Sequence, residues 1–343
     1  MKRIIILLLM AAAVLAGCSK KEVYTKSEMM IGTVINLTAA ADEKQTAQQA
    51  FDAAFAEVER IGALMGPYGD SSAVRKINEA GADDPVEIDG ETFDLISRSI
   101  EFSKLSEGGF DITFTSAGSL WDFSKSPFVI PSEEEVAEAI AHVGYQHLIL
   151  DEDAKTVTKD DSKVRIGLGG IAKGYIIDRG VEVMKQHGIE AGIVDAGGDL
   201  RVFGKKNGKP WRAGVRHPRK KDAVIMTVEL ADGEACATSG DYERMIVTKD
   251  DKRYHHIIDP RTGYPTETFS SVTVITDNAV DADAFATAFF VMGVSRSIQY
   301  ASEHDDVSVI LIDRYMNTYA SKSLKKKINV EDDTFTVEWL EKY

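Results

Sequence analysis

The order of segments in this chain predicts an α+β fold, mixed α/β in composition, with antiparallel-rich sheets and flanking helices. Two observations lead there. Stretches with helical spacing of apolar residues cluster early, whereas short alternating stretches bounded by Gly, Pro and Asp turns crowd the later half. A doubly wound parallel sheet would instead alternate strand and helix throughout. A third observation bounds the domain count. The 343 residues suffice for one large or two ordinary domains, and no fixed-period repeat or low-complexity linker divides them. The nearest thing to a boundary, the polar stretch 151–162, reads as a hairpin, so residues 29–343 are expected to form one domain.

In chain order, residues 19–27 are polar and read as a tether. An alternating run opening at Met30 and ending at Thr38 predicts a strand. Residues 43–65 have helical spacing, with Ala50, Phe51, Ala54, Phe55, Val58 and Ile61 on one stripe. The loop GPYGDSS (66–72) ends in N-cap residues and leads to a short helix over 73–78. A second long amphipathic helix over 88–106 is stopped by Gly108-Gly109. Residues 110–121 read as extended. Ser132 and the acids after it start a helix over 134–142, and strands are expected at 147–150 and 156–158. Later come a helix over 175–187 and a strand–turn–strand over 191–202 around Gly197-Gly198-Asp199. Strands 211–216 and 223–229, a turn at 238–242, and strands 244–248, 253–258 and 271–275 follow. A helix over 279–292 ends at Gly293, and the last strands are 307–312 and 334–337.

The first 17 residues stand apart. Lys2 and Arg3 precede thirteen apolar residues, too few to span a bilayer comfortably, and the stretch reads as a signal peptide. Leu15-Ala16-Gly17-Cys18 is similar to the bacterial lipobox, whose cysteine is lipidated and becomes residue one; the alternative is an ordinary signal peptide with an incidental cysteine. The expectation is an exported bacterial lipoprotein, held on the extracytoplasmic (periplasmic) side of the cell membrane by acylated Cys18, with 18–28 as its tether. Removing residues 1–17 takes away two of the 40 cations and none of the 55 acids, so the net charge falls from −15 to −17. A chain this acidic is unsuited to broad nucleic-acid binding, and its anchor would be the lipid rather than a basic face. With Cys18 acylated, Cys236 has no partner within the chain and is expected to be a small buried residue.

The most informative stretch is IGLGGIAKGYIID (166–178). A β-type run over 163–166 leads into Gly167, Gly169, Gly170 and Gly174, with Lys173 among them and a helical pattern from Tyr175. Glycines let a backbone approach a ligand closely, and a helix start aims free N–H groups and partial positive charge at the same spot. Lys173 adds a full charge, so the stretch suits a phosphate group. A glycine-rich turn without a ligand is the plain alternative. A P-loop is excluded, because Ala172 stands at its second glycine and Gly174 at its hydroxyl position. Gly167, Gly169 and Ala172, with Asp195 further on, fit the loose dinucleotide fingerprint, which is the rival reading.

Residues 281–287, DADAFAT, place Asp283 and Thr287 one helical turn apart on a shared face among small alanines. A carboxylate and a hydroxyl there are oxygen ligands suited to Mg²⁺, which completes its shell with water and phosphate. The plain alternative is an N-terminal acid cap followed by an ordinary mid-helix threonine.

At this point the chain resembles the ApbE family of FAD:protein FMN transferases, exported bacterial lipoproteins that covalently flavinylate other membrane proteins. The resemblance runs from Met30 to about Gly293. Its motifs stand in family order: MIGT (30–33), PYGDSSAVRKIN (67–78), GGFDITFTSAGSLWDF (108–123), GLGGIAKGYIID (167–178), DAGGDLRV (195–202), TSGDYER (238–244), HHIIDPRTG (255–263) and DADAFAT (281–287). Eight ordered motifs outweigh the dinucleotide fingerprint. The resemblance implies that Met30 and Tyr68 line the flavin or adenine ends of FAD. It places Gly109, Phe110 and Asp111 along the FAD, and Gly167, Lys173 and Asp178 in the same FAD site. Carbonyls of Gly170 and Ala286 and side chains of Asp283 and Thr287 would surround Mg²⁺. His256 and Ile257 would sit at the reacting end. Two departures stand out: the family often has Asp where Gly167 stands, and Asn where Asp195 stands.

The implied reaction transfers FMN from FAD to a Thr or Ser hydroxyl of an acceptor, a flavoprotein subunit of a membrane redox complex, and releases AMP. It needs positioning and charge neutralisation, which Mg²⁺ and Lys173 would supply, and a base, for which His256 is a better candidate than Asp241 or Asp259. A structural histidine at a strand end is the alternative role for His256. Two other functions stay open at the level of sequence. Water as the nucleophile would make an FAD pyrophosphatase, and a site without chemistry would make an FAD-binding lipoprotein, which the missing acid at 167 favours. For the N-terminus, Cys18→Ala is expected to abolish acylation and leave the precursor uncleaved or the protein soluble. Lipid labelling with membrane fractionation checks this, and an acylated, membrane-bound variant would overturn the lipobox reading.

Overall fold

The computed structural model describes residues 21–125, 127–248 and 251–341; the expected signal peptide and Cys18 lie outside the described residues. One sheet of nine strands dominates, and its spatial order follows chain order. The strands are β1 (Glu22–Met30), β2 (Thr33–Ala41), β3 (Ala191–Ala196), β4 (Asp199–Phe203), β5 (Ala235–Gly240), β6 (Phe269–Thr276), β7 (Ser308–Asp313), β8 (Thr318–Ser321) and β9 (Val337–Leu340). Neighbours are antiparallel except β8 and β9, which run parallel. The expected antiparallel-rich α+β architecture is therefore the observed one. The stretch from Gly167 leads through a helix into β3, which pairs antiparallel with both β2 and β4, so the parallel crossover a dinucleotide fold requires is not formed there.

The helices are α1 (Lys44–Met65), α2 (Ala73–Glu79), α3 (Gly90–Leu105), α4 (Thr115–Gly118), α5 (Glu133–Ile140), α6 (Ala172–Gln186), α7 (Ala279–Met292) and α8 (Val294–Glu303). Strand alternation gives the sheet two apolar faces. Ile35, Leu37, Val272, Val274, Val309 and Leu311 join the helix-side core. Ile275, Ile310, Ile312 and Cys236 face a second core under the small sheet formed by Trp211–Arg216, Val224–Leu230 and Ile328–Val330. Covered on both faces, β6 is buried at every position. The α1 stripe buries Ala50, Phe51, Ala54, Phe55, Val58 and Ile61, as its spacing predicts. Helix α7 is apolar nearly all round and lies inside the molecule. Cys236 is buried and unbonded, and burial pushes its thiol up to about 12. No helix among the described residues is long and apolar enough to cross a membrane.

Six local expectations are corrected. The polar residues read as a tether are largely β1, paired with β2 over its whole length. As an edge strand with a mixed polar surface, β1 is held by backbone pairing and lacks a hydrophobic signature. The turn between them is Ile31 (φ 47) and Gly32 (φ 80), a left-handed pair in which a β-branched residue is strained. Residues 110–121 are not extended. The Asp111 carboxylate accepts from the Thr113 N–H (2.8 Å) and hydroxyl (2.6 Å), winding the chain into a 3₁₀ turn and then α4. Residues 163–166 form no strand; Asn78 instead bonds both the N–H and the C=O of Ile166. Helix α6 begins at Ala172, so Lys173 and Gly174 belong to its first turn. The expected turn at 238–242 begins as strand, because Thr238, Ser239 and Gly240 pair with β6. The last strand lies at Val337–Leu340 rather than 334–337.

Gly174 explains how α6 meets α7. A Cβ placed there would lie 2.1 Å from the Ala279 carbonyl oxygen, a backbone atom that cannot swing away. Gly174→Ala is therefore expected to destabilise the fold by about 1–3 kcal/mol, overpacking outweighing the gain in helix propensity of about 1 kcal/mol. A thermal melt reads this directly, and an unchanged or higher Tm would show that the two helices have room to part.

Candidate active site

Helix α6 opens at Ile171 with no side-chain cap and no acid in its first turn. Its carboxylate comes from α7. Asp283 Oδ2 accepts the Gly174 N–H at 3.1 Å, and Oδ1 accepts from Lys173 Nζ at 3.0 Å. A negative charge at this helix start is favourable to its dipole. Lys173 Nζ also donates to Asp199 Oδ2. Asp199 opens β4 directly after the left-handed turn Gly197 (φ 68) and Gly198 (φ 104), and its Oδ1 accepts the Thr238 N–H of β5 at 2.8 Å. Both carboxylates are buried, while the Lys173 side chain keeps 35 % of its surface exposed. Burial pushes the Asp199 carboxyl above its usual range, with Asp283 adding to the rise and Lys173 opposing it. Burial works against the Lys173 charge, but Asp283 and Asp199 more than offset it and hold the ammonium protonated above its usual range.

Thr287 lies one turn beyond Asp283, with its hydroxyl 3.4 Å from Ser239 Oγ on β5. Ala286 is buried beside it. On the α6 side, a Cβ at Gly170 would come within 3.1 Å of the Phe110 ring, so Phe110 supports the glycine loop from beneath. Gly167 donates to the Ile112 carbonyl at 2.9 Å, and a Cβ there would lie 2.3 Å from Thr115 Oγ1. An Asp at 167 would need Thr115 to move. Asp195, the other departure, accepts from Asn36 across the β2–β3 pair and from Gly198 N–H, both at 3.2 Å.

The Lys173 ammonium already sits between Asp283 and Asp199, and Asp283 and Thr287 are hard oxygen donors. That set suits Mg²⁺, with Gly170 and Ala286 on the segments that carry the lysine and the aspartate. Among the described residues, no group of three or more His, Cys, Asp or Glu side chains is arranged to hold a metal alone.

His256 follows the short strand Arg253–His255 and donates its N–H to the Arg244 carbonyl at 3.0 Å. The His256 residue is exposed to solvent. Desolvation by surrounding protein atoms lowers its pKa toward about 4, and the neighbouring His255, Arg244 and Lys173 add to the drop. Its neighbour His255 is structural: Nε2 donates to the Thr266 carbonyl at 2.7 Å and Nδ1 accepts the Ile257 N–H at 3.3 Å. Ile257 is buried behind it.

The remaining implied contacts lie elsewhere or are otherwise engaged. Tyr68 is 84 % exposed on a cleft of about 520 Å³ with Pro67, Arg75, Asn78 and Arg165, joined to the glycine stretch through Asn78. Met30 is half-buried at the β1–β2 turn. Gly109 and Asp111 are buried, and Asp111 also accepts the Tyr145 N–H at 2.7 Å. Asp178 accepts from the Ala279 and Val280 N–H groups and from Arg201, so its carboxylate caps α7. Asp199 was not singled out from the sequence; its signal was an acid closing the Gly-Gly turn of the DAGGD motif.

A model of the ApbE family matches residues 31–311. The chain belongs to the ApbE family. A Vibrio cholerae FAD:protein FMN transferase is 32% identical over 91% of this chain and 95% of its own length. The Haemophilus influenzae enzyme of the same name is 30% identical over 94% and 96%. Among solved structures, the ApbE protein of Thermotoga maritima superposes with a TM-score of 0.82 at 36% identity, covering 89% of this chain and 99% of that one. The flavin transferase ApbE of Vibrio cholerae gives 0.78 at 30%, over 90% and 99%. The ApbE fold thus accounts for the sheet order and for the meeting of α6, α7 and β4.

Because the folded His256 pKa is lowered, the folded state resists its protonation. Stability from this group is present above the unfolded value of about 6.5 and falls as the pH drops toward the folded value. An NMR titration of the His256 ring is expected to show a midpoint below 6.5. A midpoint at or above it would show that desolvation and the neighbouring groups do not lower the ring's pKa.

Proposed function

We propose that this protein is a Mg²⁺-dependent FAD:protein FMN transferase. It moves FMN from FAD onto a Thr or Ser hydroxyl of an acceptor flavoprotein subunit in a membrane redox complex and releases AMP. We also propose that it works as an exported lipoprotein tethered through Cys18. The observation that carries the activity is the buried Asp283–Lys173–Asp199 group beside the glycine stretch, in a chain whose curated relatives are named for this reaction.

In this reading the acceptor hydroxyl oxygen attacks the FMN-side phosphorus of FAD. The bond from that phosphorus to the bridging oxygen breaks, and AMP leaves with the bridging oxygen. Lys173 stands where the pyrophosphate charge needs neutralising, and the α6 start adds backbone N–H groups. His256, neutral at pH 7, takes the hydroxyl proton, a contribution of roughly 10²–10⁴-fold for a well-placed base. Asp283 and Thr287, with carbonyls of Gly170 and Ala286, would hold Mg²⁺. When bound, the ion would draw charge from the phosphate oxygens and hold them in line. The buried apolar floor of Phe110 and Ile257 keeps the glycine stretch and the His256 segment in place.

Purified protein with FAD and Mg²⁺, with and without an acceptor domain, tests the reaction by AMP release and by protein-bound flavin fluorescence. AMP without bound flavin would make it a pyrophosphatase, and flavin binding with neither product would make it a carrier. Asp283→Ala is expected to abolish Mg²⁺-dependent transfer, a loss beyond the roughly 10–100-fold typical of outer-shell mutations, and excess Mg²⁺ should not rescue it. Thr287→Val should lose much of the activity as well. A circular-dichroism melt first confirms folding. Transfer at the parent rate by folded Asp283→Ala would displace the metal from this position.

A further inference from the structure

Lys173 occupies the carboxylate that the proposed function gives to the metal. Its ammonium lies 3.0 Å from Asp283 Oδ1, on a helix whose first turn is pinned to the other oxygen of the same carboxylate. An ammonium and a divalent cation on one carboxylate repel each other strongly at such distances. The ammonium therefore needs another seat when the metal arrives. Asp199 is that seat. It is buried, already within contact of Nζ, and fixed from behind by the Thr238 N–H, on a strand start shaped by the Gly197-Gly198 turn. Lys173 is in turn the counter-ion that both acids need in the absence of metal, since two buried unpaired carboxylates would be costly.

We propose that Asp199 is a positioning residue that draws Lys173 off Asp283 and so admits the divalent cation to the Asp283–Thr287 face. Lys173 acts as an internal placeholder for that cation. The inference rests on the proposed metal site but adds a competition that the site alone does not require. Without the Asp199 charge, Lys173 has only Asp283 to pair with and blocks the ion. Without Lys173, the ion meets two unopposed carboxylates.

The test is Mn²⁺ binding to FAD-free protein, followed by electron paramagnetic resonance of free Mn²⁺, with AMP release measured separately. Asp199→Asn keeps the shape and an acceptor for the Thr238 N–H. It is expected to weaken Mn²⁺ binding by roughly 10–100-fold, the range for a supporting residue of a metal site. Lys173→Gln is expected to bind Mn²⁺ at least as tightly as the parent although transfer slows. Adding Lys173→Gln to Asp199→Asn is expected to restore most of the lost affinity, which a merely structural role for Asp199 would not produce. Parent-like affinity in folded Asp199→Asn, or a double variant no better than Asp199→Asn, overturns the proposal. If Asp199→Asn does not fold, Lys173→Gln decides alone: weaker binding than the parent overturns it. Should the parent bind no Mn²⁺, or Asp283→Ala bind it equally, the metal site itself falls and the proposal with it. Binding through Asp283 that ignores Asp199 defeats the placeholder alone.

Discussion

Asp199 and Asp283 are buried acids on different elements, and one ammonium, that of Lys173, lies between them. Each carboxylate taken from water without a partner would cost several kcal/mol, so β4, α6 and α7 are constrained to meet where the lysine can reach both. Its partners lie 26 and 110 residues away along the chain. The constraint fixes local geometry and also concentrates charge at one spot on an otherwise apolar floor. A phosphate-handling site can be built on such a group because the protein has already met the cost of holding its charges out of bulk water.

The same two helices trade a second pair of contacts. Asp178 of α6 accepts from the Ala279 and Val280 N–H groups at the start of α7, while Asp283 of α7 accepts from Gly174 at the start of α6. Each helix thus supplies the negative charge that the other's N-terminus favours. Gly174 permits the approach, because the Ala279 carbonyl stands where its side chain would be. Behind this pair the sheet runs as a meander in chain order, so the long excursion from β2 to β3 can carry six helices without crossing another connection.

Legibility followed burial. The stripe of α1 and the run of α7 could be read because their burial is carried by side chains at helical spacing. Strand β1 could not, because an edge strand is held by its backbone, and the polar residues that decorate it resemble a linker. The segment after Asp111 could not, because one carboxylate bonding two residues ahead overrode the apparent extended pattern. Gly240 could not, because a Thr-Ser-Gly run that signals a turn in isolation is paired here with β6.

The sequence by itself determined the α+β class, the family through its ordered motifs, and the pairing of glycine stretch with acidic helix as one candidate site. Those are properties of residue type and spacing, which need no partner in space. Tertiary structure decided which groups share a charge. It brought Asp199 to Lys173, assigned Asp178 to a helix start, filled the space beside Gly167 with Thr115, and set His256 rather than His255 toward solvent. Electrostatic pairing depends on distances of a few ångströms between elements remote in the chain, and no local pattern encodes those distances.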